Sequence, residues 1–366
     1  MTRDPIGGSD PFVWRSRVPP VASHLARVYV RSVIPLSVLD LYPVSTGASP
    51  TAAIHDSIAL ARRVDELGYH RYWIAEHHNM PSIASAAPEV LIGHVAGVTP
   101  RIRVGAGGIM LPNHAPLRVL EIFRTLEALY PGRIDLGIGR APGTDAVTST
   151  AVRRTARGDV NEQLAELMAF ATGSFPAGHP FRGVDAMPSD SPVPPIWMLG
   201  STSAGAAIAA SLGVGFAFAG HFNMAEADMA IRTYRSRFSP SPELSASRLI
   251  MAVSVVCGET DAHAEELAAP LRVAYARIAT GRKAPFPSIE EARAYRFTLE
   301  ERLAVDRFAE GSIVGGIDRV RTGLLRLAEE TSADEIMIST IVPIVGERIA
   351  SYERVAAAWG LRGQSS

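Results

Sequence analysis

The chain lacks several features that would point to particular classes of protein. Cys257 is the only cysteine, which excludes an internal disulfide framework and any multi-cysteine metal site. The formal net charge is −1, so no overall field attracts nucleic acid or an anionic membrane. No apolar run is long enough to span a bilayer, and no secretory signal is recognisable. We therefore expect a cytoplasmic protein with no membrane or nucleic-acid partner.

The composition is that of a globular protein with a large core. Of the 366 residues, 47% are hydrophobic and 20% are charged. Residues 1–31 are rich in Pro, Gly, Ser and Arg without periodicity, which predicts an N-terminal extension. Residues 32–362 are predicted to form one domain with insertions at about 172–193 and 281–312. The second insertion, with a short helix predicted at 298–308, is a candidate lid.

Eight short apolar runs follow one another along the chain, with longer amphipathic stretches between them. Runs that are apolar at consecutive positions are typical of strands buried on both faces. The predicted strands are 33–39, 71–75, 102–106, 134–138, 195–199, 215–219, 250–256 and 335–341. The predicted helices are 50–67, 86–98, 116–129, 161–171, 203–212, 225–238, 261–280, 317–330 and 347–359.

This alternation predicts the α/β fold class, as a single-domain (β/α)₈ TIM barrel with insertions. The alternative is a doubly wound open sheet, which usually carries a Gly-x-Gly-x-x-Gly turn after its first strand. Residues 40–47 follow the first predicted strand and contain no such turn. The barrel is therefore favoured.

A charged and imidazole-rich cluster follows the second predicted strand. Glu76, His77 and His78 come directly after an apolar run, at the strand end where α/β folds place their chemistry. Neighbouring residues on an extended segment point to opposite sides, so the two histidines do not readily share one metal ion. A proton donor or acceptor is favoured over a metal ligand, and packing is the third alternative. No metal is expected.

Other polar residues follow the other strands and should meet at the same end of the barrel. Together with His78, we expect these residues to line a substrate pocket: Asp40, Asn113, His221 and Phe222.

A possible anion site follows the fifth predicted strand. Residues 200–203, with sequence Gly-Ser-Thr-Ser, open a helix, and backbone N–H groups at a helix N-terminus bind phosphate. An ordinary Ser/Thr cap is the alternative interpretation. Arg140 ends the neighbouring strand and calls for an anionic partner, so a phosphate-bearing ligand is equally supported. A nucleoside triphosphate is not expected, because no Gly-x-x-x-x-Gly-Lys-Ser/Thr loop is present.

Ordered motifs over about residues 33–360 resemble the luciferase-like flavin monooxygenases, especially their single-chain bacterial branch. Most of these motifs include a strand end that is rich in glycine or polar residues, and they follow one another in the same order as in that family. The matching segments are 36–40, 68–80, 104–116, 131–143, 195–201, 216–222 and 313–316.

The resemblance implies a barrel that binds reduced FMN, with particular residues in particular roles. His77 falls at the position of the catalytic histidine, and Glu76 at that of a carboxylate near the flavin. Gly107 and Gly108 fall at a non-proline cis peptide behind the isoalloxazine ring. The other implied cofactor-binding residues are Ala75, Met110 and Met198 near the ring, and Arg140, Gly200, Ser201 and Ser203 near the phosphate.

The chain also departs from luciferase itself. Gly139 replaces a reactive cysteine, Gly200 replaces a glutamate, and the indole beyond the sixth strand is absent. The aldehyde pocket is therefore not carried over, and light emission is not expected.

The activity implied is oxygenation of a small organic substrate with O₂ by way of a flavin C4a-peroxide. Reduced flavin would come from a separate NAD(P)H:flavin reductase, since the chain has no dinucleotide fingerprint of its own. A homodimer is expected. Two alternatives remain: an F420-dependent oxidoreductase on the same barrel, and a non-catalytic flavin-binding subunit.

Overall fold

The strands of the sheet close into a parallel barrel. A computed structural model of the protein describes residues 34–152, 159–361 and 363. Within them the ten strands are β1 (Leu36–Asp40), β2 (Arg71–Ile74), β3 (Arg103–Ala106), β4 (Ile109–Met110), β5 (Ile134–Gly139), β6 (Ile196–Gly200), β7 (Gly215–Ala219), β8 (Leu249–Cys257), β9 (Ser312–Gly315) and β10 (Glu335–Ser339).

Eight of these strands form the ring, in the order β10-β1-β2-β3-β5-β6-β7-β8. Strand β10 is parallel to β1 and also to β8, and this second pairing closes the barrel. The two extra strands are appendages, because β4 pairs with β5 and β9 with β8. The predicted (β/α)₈ barrel is confirmed, and β2 and β7 stand on opposite sides of its ring.

Helices surround the ring and connect its strands. They are α1 (Pro50–Leu67), α2 (Pro88–Val98), α3 (Pro116–Leu129), α4 (Ala146–Val152), α5 (Val160–Thr172), α6 (Ser203–Leu212), α7 (Gly220–Asn223), α8 (Ala227–Arg237), α9 (Asp261–Ala279), α10 (Ile289–Ala294), α11 (Leu299–Ala309), α12 (Ile317–Thr331) and α13 (Val345–Trp359). None of those in the described ranges is long and apolar enough to cross a membrane.

The predicted elements recur with small shifts at their ends. Helices α1, α3 and α6 and strand β7 have the predicted bounds, while α4, α7, α10, β4 and β9 were not predicted. The second insertion contains α10 and also α11, which lies at the predicted short helix. The predicted extension, residues 1–31, lies outside the described residues.

Helix α1 shows why boundaries could be predicted locally. The side chain of Ser49 accepts a hydrogen bond from the backbone N–H of Ala52, and Pro50 occupies the first turn. Such a cap is typically worth about 1 kcal/mol. Gly68 ends the helix in the left-handed region, with φ +85°, where a glycine avoids the steric cost of a side chain.

Alternation along each strand separates two apolar layers. Trp73, Trp197 and Leu39 point into the barrel, and their neighbours Tyr72 and Met198 lie in the layer between sheet and helices. Both layers are buried, as strands covered on both faces require. A side chain's position in the strand therefore decides whether it can reach the mouth of the barrel.

A network of buried ion pairs fills the end of the barrel where the strands begin. Arg71 contacts Asp135 at 2.8 Å and Glu335 at 2.9 Å. Arg103 contacts the same aspartate at 2.6 Å, and the indole N–H of Trp73 donates to it at 3.1 Å. Burial alone would raise the pKa of Asp135, but the two guanidinium groups lower it below its ordinary value. This end of the barrel, the closed end, has its buried carboxylates and guanidinium groups paired with one another.

Candidate active site at the carboxyl ends of the strands

His77 stands on the inner side of the chain just beyond β2. Ala75 is buried on the same side, within the barrel's interior cluster. Glu76 and His78 point to the other side, where Oε1 of the carboxylate lies 2.7 Å from Nε2 of His78. The period of two that separates neighbouring side chains thus leaves His77 facing a cavity and its neighbours facing the fold.

Glu76 is fully buried and organises the polar residues around it. Its carboxylate accepts from the backbone N–H of Met110 at 2.7 Å and from the amide of Asn113 at 3.1 Å. Nε2 of His114 lies 3.0 Å from both carboxylate oxygens. Together with His78, these groups satisfy the buried charge, so Glu76 acts to position β2 against the segment after β3.

The ionisation of Glu76 and His114 is coupled. Burial alone would raise the pKa of Glu76, but hydrogen bonds from His114, Met110 and His78 outweigh it and lower the pKa. Burial likewise opposes the charge on His114, yet the carboxylate raises its pKa above the ordinary value. The pair is therefore favoured as carboxylate and imidazolium between about pH 4.5 and 6.5.

Two neutral histidines line the cavity from strands on opposite sides of the ring. His77 follows β2 and His221 follows β7. Burial lowers the pKa of each to about 4, so both are neutral near pH 7. Within the described part of the chain, the Nδ1 atom of each is buried without a hydrogen-bond partner. Nε2 of His77 forms no hydrogen bond with a described residue and can meet a ligand, whereas the ring of His221 has the backbone of Ala252 as a hydrogen-bond partner that partly opposes the lowering of its pKa.

Arg140 follows β5 and lies beside the first turn of α6. Its Nη2 atom is 3.6 Å from the place that a Cβ at Gly205 would occupy. No described residue gives Arg140 a hydrogen bond or an ion pair, although its side chain is half-buried. Thr202 caps α6, and its side chain accepts from Gly205 N–H at 3.5 Å. An unpaired guanidinium next to a helix N-terminus is suited to an anion.

The two serines at this turn keep their hydroxyl groups available. Ser201 and Ser203 are half-buried, and neither hydroxyl bonds to a described residue. The backbone carbonyl of Ser201 accepts from the side-chain amide of Asn223 at 3.0 Å, which connects the turn to the end of α7. Gly200 ends β6 directly before them. Sequence reasoning left capping and anion binding open, and the cap turns out to be the residue between the two serines.

The peptide bond between Gly107 and Gly108 is cis. A Cβ on Gly107 would stand 2.6 Å from Cδ1 of Leu39, and one on Gly108 would stand 2.8 Å from the carbonyl oxygen of Gly137. Neither position therefore accepts a side chain without a shift of its surroundings. The sulfur of Met110 lies 2.7 Å from the Cβ position of Gly139. The methionine fills the space that a side chain at 139 would need.

A cavity of about 450 Å³ extends from these strand ends beneath α9 and the segment that follows it. Its walls are mostly apolar, and Phe222, His221, Ser254 and Ser339 border it from the strands. The other wall has two parts. Sequence reasoning missed the part from α9, which consists of Leu271, Ala274, Tyr275, Arg277 and Ile278. Residues 281–284 and Phe286 form the second part and begin the insertion that was expected to act as a lid. The spacing of the α9 residues is helical, but in the sequence it looks like an ordinary core stripe.

Of the five residues predicted for the substrate pocket, three do not line the cavity, namely Asp40, His78 and Asn113, and neither does Met198, which was predicted for the cofactor site. Asp40 is buried on the outer face of β1, where it pairs with Arg348 and accepts from Tyr72. Met198 is fully buried between the barrel and its helices. Both face outward because their strand neighbours face inward, so the expected roles at the mouth do not match their positions. Asn113 serves Glu76 and the carbonyl of Pro142 instead.

The arrangement combines an anion site, a glycine-lined backbone and an apolar cavity with two neutral imidazoles. It can hold a phosphate, accept a flat ring against backbone and move a proton where water is scarce. No group of three or more His, Cys, Asp or Glu side chains within residues 34–152 and 159–361 could hold a metal ion. The groups present are those of acid–base and ligand-binding chemistry.

Comparison with known sequences identifies the family. The model of the family described as luciferase-like monooxygenase matches residues 34–359. A luciferase-like monooxygenase of Escherichia coli strain K12 is 40% identical over 323 residues, or 87% of this chain and 95% of that protein. An N-acetyl-S-alkylcysteine monooxygenase of Bacillus subtilis strain 168 is 32% identical over 329 residues, covering 89% and 98% respectively.

Solved structures extend the comparison. The crystal structure of apo-MsnO8 superposes with a TM-score of 0.82 at 37% identity, covering 90% of this chain and 98% of that one. The oxygenating constituent of 3,6-diketocamphane monooxygenase from Pseudomonas putida, in complex with FMN, has a TM-score of 0.63 at 17% identity, covering 89% and 97%. An F420-dependent secondary alcohol dehydrogenase superposes with a TM-score of 0.60 at 15% identity, covering 90% of this chain and 99% of that one. These last two share the fold alone.

Proposed function

The chain belongs to the luciferase-like monooxygenase family, and we propose that it is a flavin-dependent monooxygenase that oxygenates a small organic substrate with reduced FMN and dioxygen. The polar strand ends, Arg140 with the first turn of α6, and the apolar cavity all follow the carboxyl ends of the strands, which supports the proposal. That end is where barrel enzymes carry out their chemistry.

Arg140 carries the proposal. A half-buried guanidinium without a partner in the described chain, next to the N-terminal turn of α6, fits the phosphate of FMN. Ser201 and Ser203 would add hydroxyl donors at the same turn. None of these three residues is among the described residues that line the 450 Å³ cavity, so the phosphate site and the cavity are distinct parts of one mouth.

The glycine segment fits the ring of the same cofactor. Gly107 and Gly108 present backbone without side chains next to the end of β2. Ala75, on the inner side of the chain just beyond β2, has only a small side chain and leaves room for a ring. Reduced flavin, when bound, supplies the electrons that activate dioxygen; the protein binds, orients and excludes water. The apolar wall from α9 would perform that exclusion.

His77 would hold or move a proton at Nε2. Its low pKa keeps it neutral near pH 7, so it can accept or donate a hydrogen bond without bringing charge into the cavity. The bonds made by Glu76 and His78 fix the chain on both sides of it. Glu76 is therefore proposed as a positioning residue and His77 as the catalytic one.

A stopped-flow experiment tests the role of His77. Reduced FMN bound to the protein is mixed with oxygenated buffer, and both flavin oxidation and hydrogen peroxide release are followed. A hydrogen bond to a charged group is typically worth about 1.5–3 kcal/mol, so His77→Ala, which can no longer hold the activated oxygen by such a bond, should release hydrogen peroxide at least tenfold faster than the wild type. His55→Ala, at an exposed position on α1, is the matched control. Equal release rates in wild type and His77→Ala would contradict the proposed role.

The cofactor itself needs a direct comparison. A spectral titration with FMN and with F420 should show preference for FMN, and tighter binding of F420 would favour hydride transfer without oxygen. We further propose that a separate NAD(P)H-dependent reductase supplies the reduced flavin and that the protein is a homodimer. Rapid NADPH oxidation by the purified chain alone, or a monomer in solution, would contradict these two points.

A further inference from the structure

The described charged side chains that line the cavity are unequally paired. They are Asp145, Arg277, Arg282 and Lys283. Lys283 pairs with Asp145, and Arg282 pairs with Glu301 outside the cavity. Three cations thus share two carboxylates, and the one left over is Arg277.

Arg277 has only weak partners of its own. Its Nη1 atom donates to the carbonyl oxygen of Pro285 at 3.3 Å, and its guanidinium carbon lies 5.8 Å from the ring centroid of Tyr295. In the chain as described, no carboxylate oxygen comes within 4.0 Å of it. The Glu291 carboxylate, whose pKa is lowered mainly by the backbone N–H of Ser288, attracts Arg277 only at longer range. A guanidinium that borders an apolar cavity and has a carbonyl as its hydrogen-bond partner retains donors for an anion.

The surroundings of Arg277 are apolar and anchored. Leu271, Ala274, Tyr275 and Phe286 belong to the same wall of the cavity. The backbone of Phe286 is fixed to the loop after β1, since its N–H donates to Val44 O at 2.9 Å and its carbonyl accepts from Thr46 N–H at 2.8 Å. The Arg277 guanidinium therefore borders an apolar part of the cavity, where it can contact one end of an apolar ligand.

We infer that the substrate of this site is an apolar molecule with one anionic group, such as a carboxylate, and that Arg277 binds that group. The inference rests on the proposed function and adds the substrate class to it. The apolar part would occupy the space beside Tyr275 and Phe286, which also extends to His77 and His221 at the strand ends. The charge would be kept on the α9 side of the cavity.

An alternative role for Arg277 is to stabilise helix α9 itself, and control variants can distinguish this role from anion binding. The residue lies in the last turn of α9, where a cation favours the helix itself. Arg307 occupies the corresponding turn of α11, is exposed and is not among the residues that line the cavity. Arg307→Gln thus removes the same charge from the same kind of position, and Arg277→Lys keeps the charge at the site.

The test is calorimetric titration of the full chain with octanoate, octanamide and octylamine, with and without bound FMN. The wild type should bind octanoate about tenfold more tightly than octanamide, because one charge-assisted hydrogen bond changes the dissociation constant by about tenfold. Octylamine should bind least tightly, because its charge has the same sign as that of Arg277. Arg277→Gln should abolish the preference, Arg277→Lys should keep most of it, and Arg307→Gln should leave it unchanged.

Several results would overturn the inference. These are absence of octanoate binding, equal binding of octanoate and octanamide by the wild type, and a preference that survives Arg277→Gln. Flavin binding is measured in the same samples. A protein that binds FMN but has no carboxylate preference contradicts the inference alone, whereas failure to bind FMN contradicts the proposed function.

Discussion

The two ends of the barrel differ in how completely their charged and polar groups are paired. Where the strands begin, Arg71 contacts both Asp135 and Glu335, and each of these groups is buried. Where the strands end, Arg140 has no partner in the described chain, and Nδ1 of His77 is buried without one. The same strands run through both ends, so the difference in pairing comes from which side chains the strands carry at each end.

The difference indicates which end is organised for stability and which for binding. A buried polar group without a hydrogen bond costs free energy, so such a group beside a cavity is a candidate to bind a ligand that supplies the partner. Glu76 sharpens the contrast, because it lies at the ligand end yet is fully satisfied by its neighbours. At that end the supporting residues are paired, and the groups that face the mouth are not.

The largest expected effect comes from breaking the closed end. Arg71→Met leaves two buried carboxylates without their common cation, and removal of one partner of a buried pair typically costs about 3–5 kcal/mol. Chemical denaturation should show this loss in the free energy of unfolding. FMN affinity of the protein that remains folded should not change, because the network lies at the opposite end. A loss below about 1 kcal/mol would show that this end is not held by its ion pairs.

The second effect is the dependence of the free energy of unfolding on pH, which differs between the two ends. The pKa of His77 and of His221 is about 4 in the fold against about 6.5 when unfolded, so the unfolded chain binds more protons between these values. Stability should therefore fall as the pH is lowered from 6.5 towards 4, by up to about 3 kcal/mol for each histidine.

At the closed end, Asp135 should respond only at lower pH, whereas His70 beside Glu335, whose pKa burial also lowers, loses stability below its unfolded value like the two cavity histidines. The lowered pKa of Asp135 contributes stability that is present above its unfolded value near 3.8 and is lost as the pH falls through the folded value. Urea denaturation of the wild type, His77→Gln and His221→Gln from pH 7 to 4 measures the difference. Each variant should flatten the slope, and unchanged slopes in both would show that neither histidine is kept neutral by burial.

Much of the fold could be predicted because its signals are local. The bounds of α1 follow from Ser49, Pro50 and Gly68, which mark both ends within the sequence. The short strands β4 and β9 escaped prediction, since two to four residues give no periodicity. The pairing of Arg71 with Glu335 joins residues 264 positions apart, and no local pattern indicates it.

The candidate site was predictable where it follows from strand ends. His77, Arg140 and the glycine pair lie where a polar or glycine residue terminates an apolar run. Asp40 was misplaced, although its neighbours Leu39 and Leu41, both apolar, mark it as outward-facing by alternation. The α9 wall was missed because a stripe that lines a cavity and a stripe that packs in a core have the same spacing.

The central claim is that Arg140 is left unpaired in order to hold the phosphate of FMN. Its replacement should leave the free energy of unfolding within about 0.5 kcal/mol, since no bond in the described chain is lost. The most direct measurement is titration of the wild type and of Arg140→Gln with FMN and with riboflavin, which lacks the phosphate. The variant should bind FMN roughly 10–100-fold more weakly and riboflavin as the wild type does. Equal FMN affinity in the two proteins, or an equal loss for both ligands, would contradict the claim.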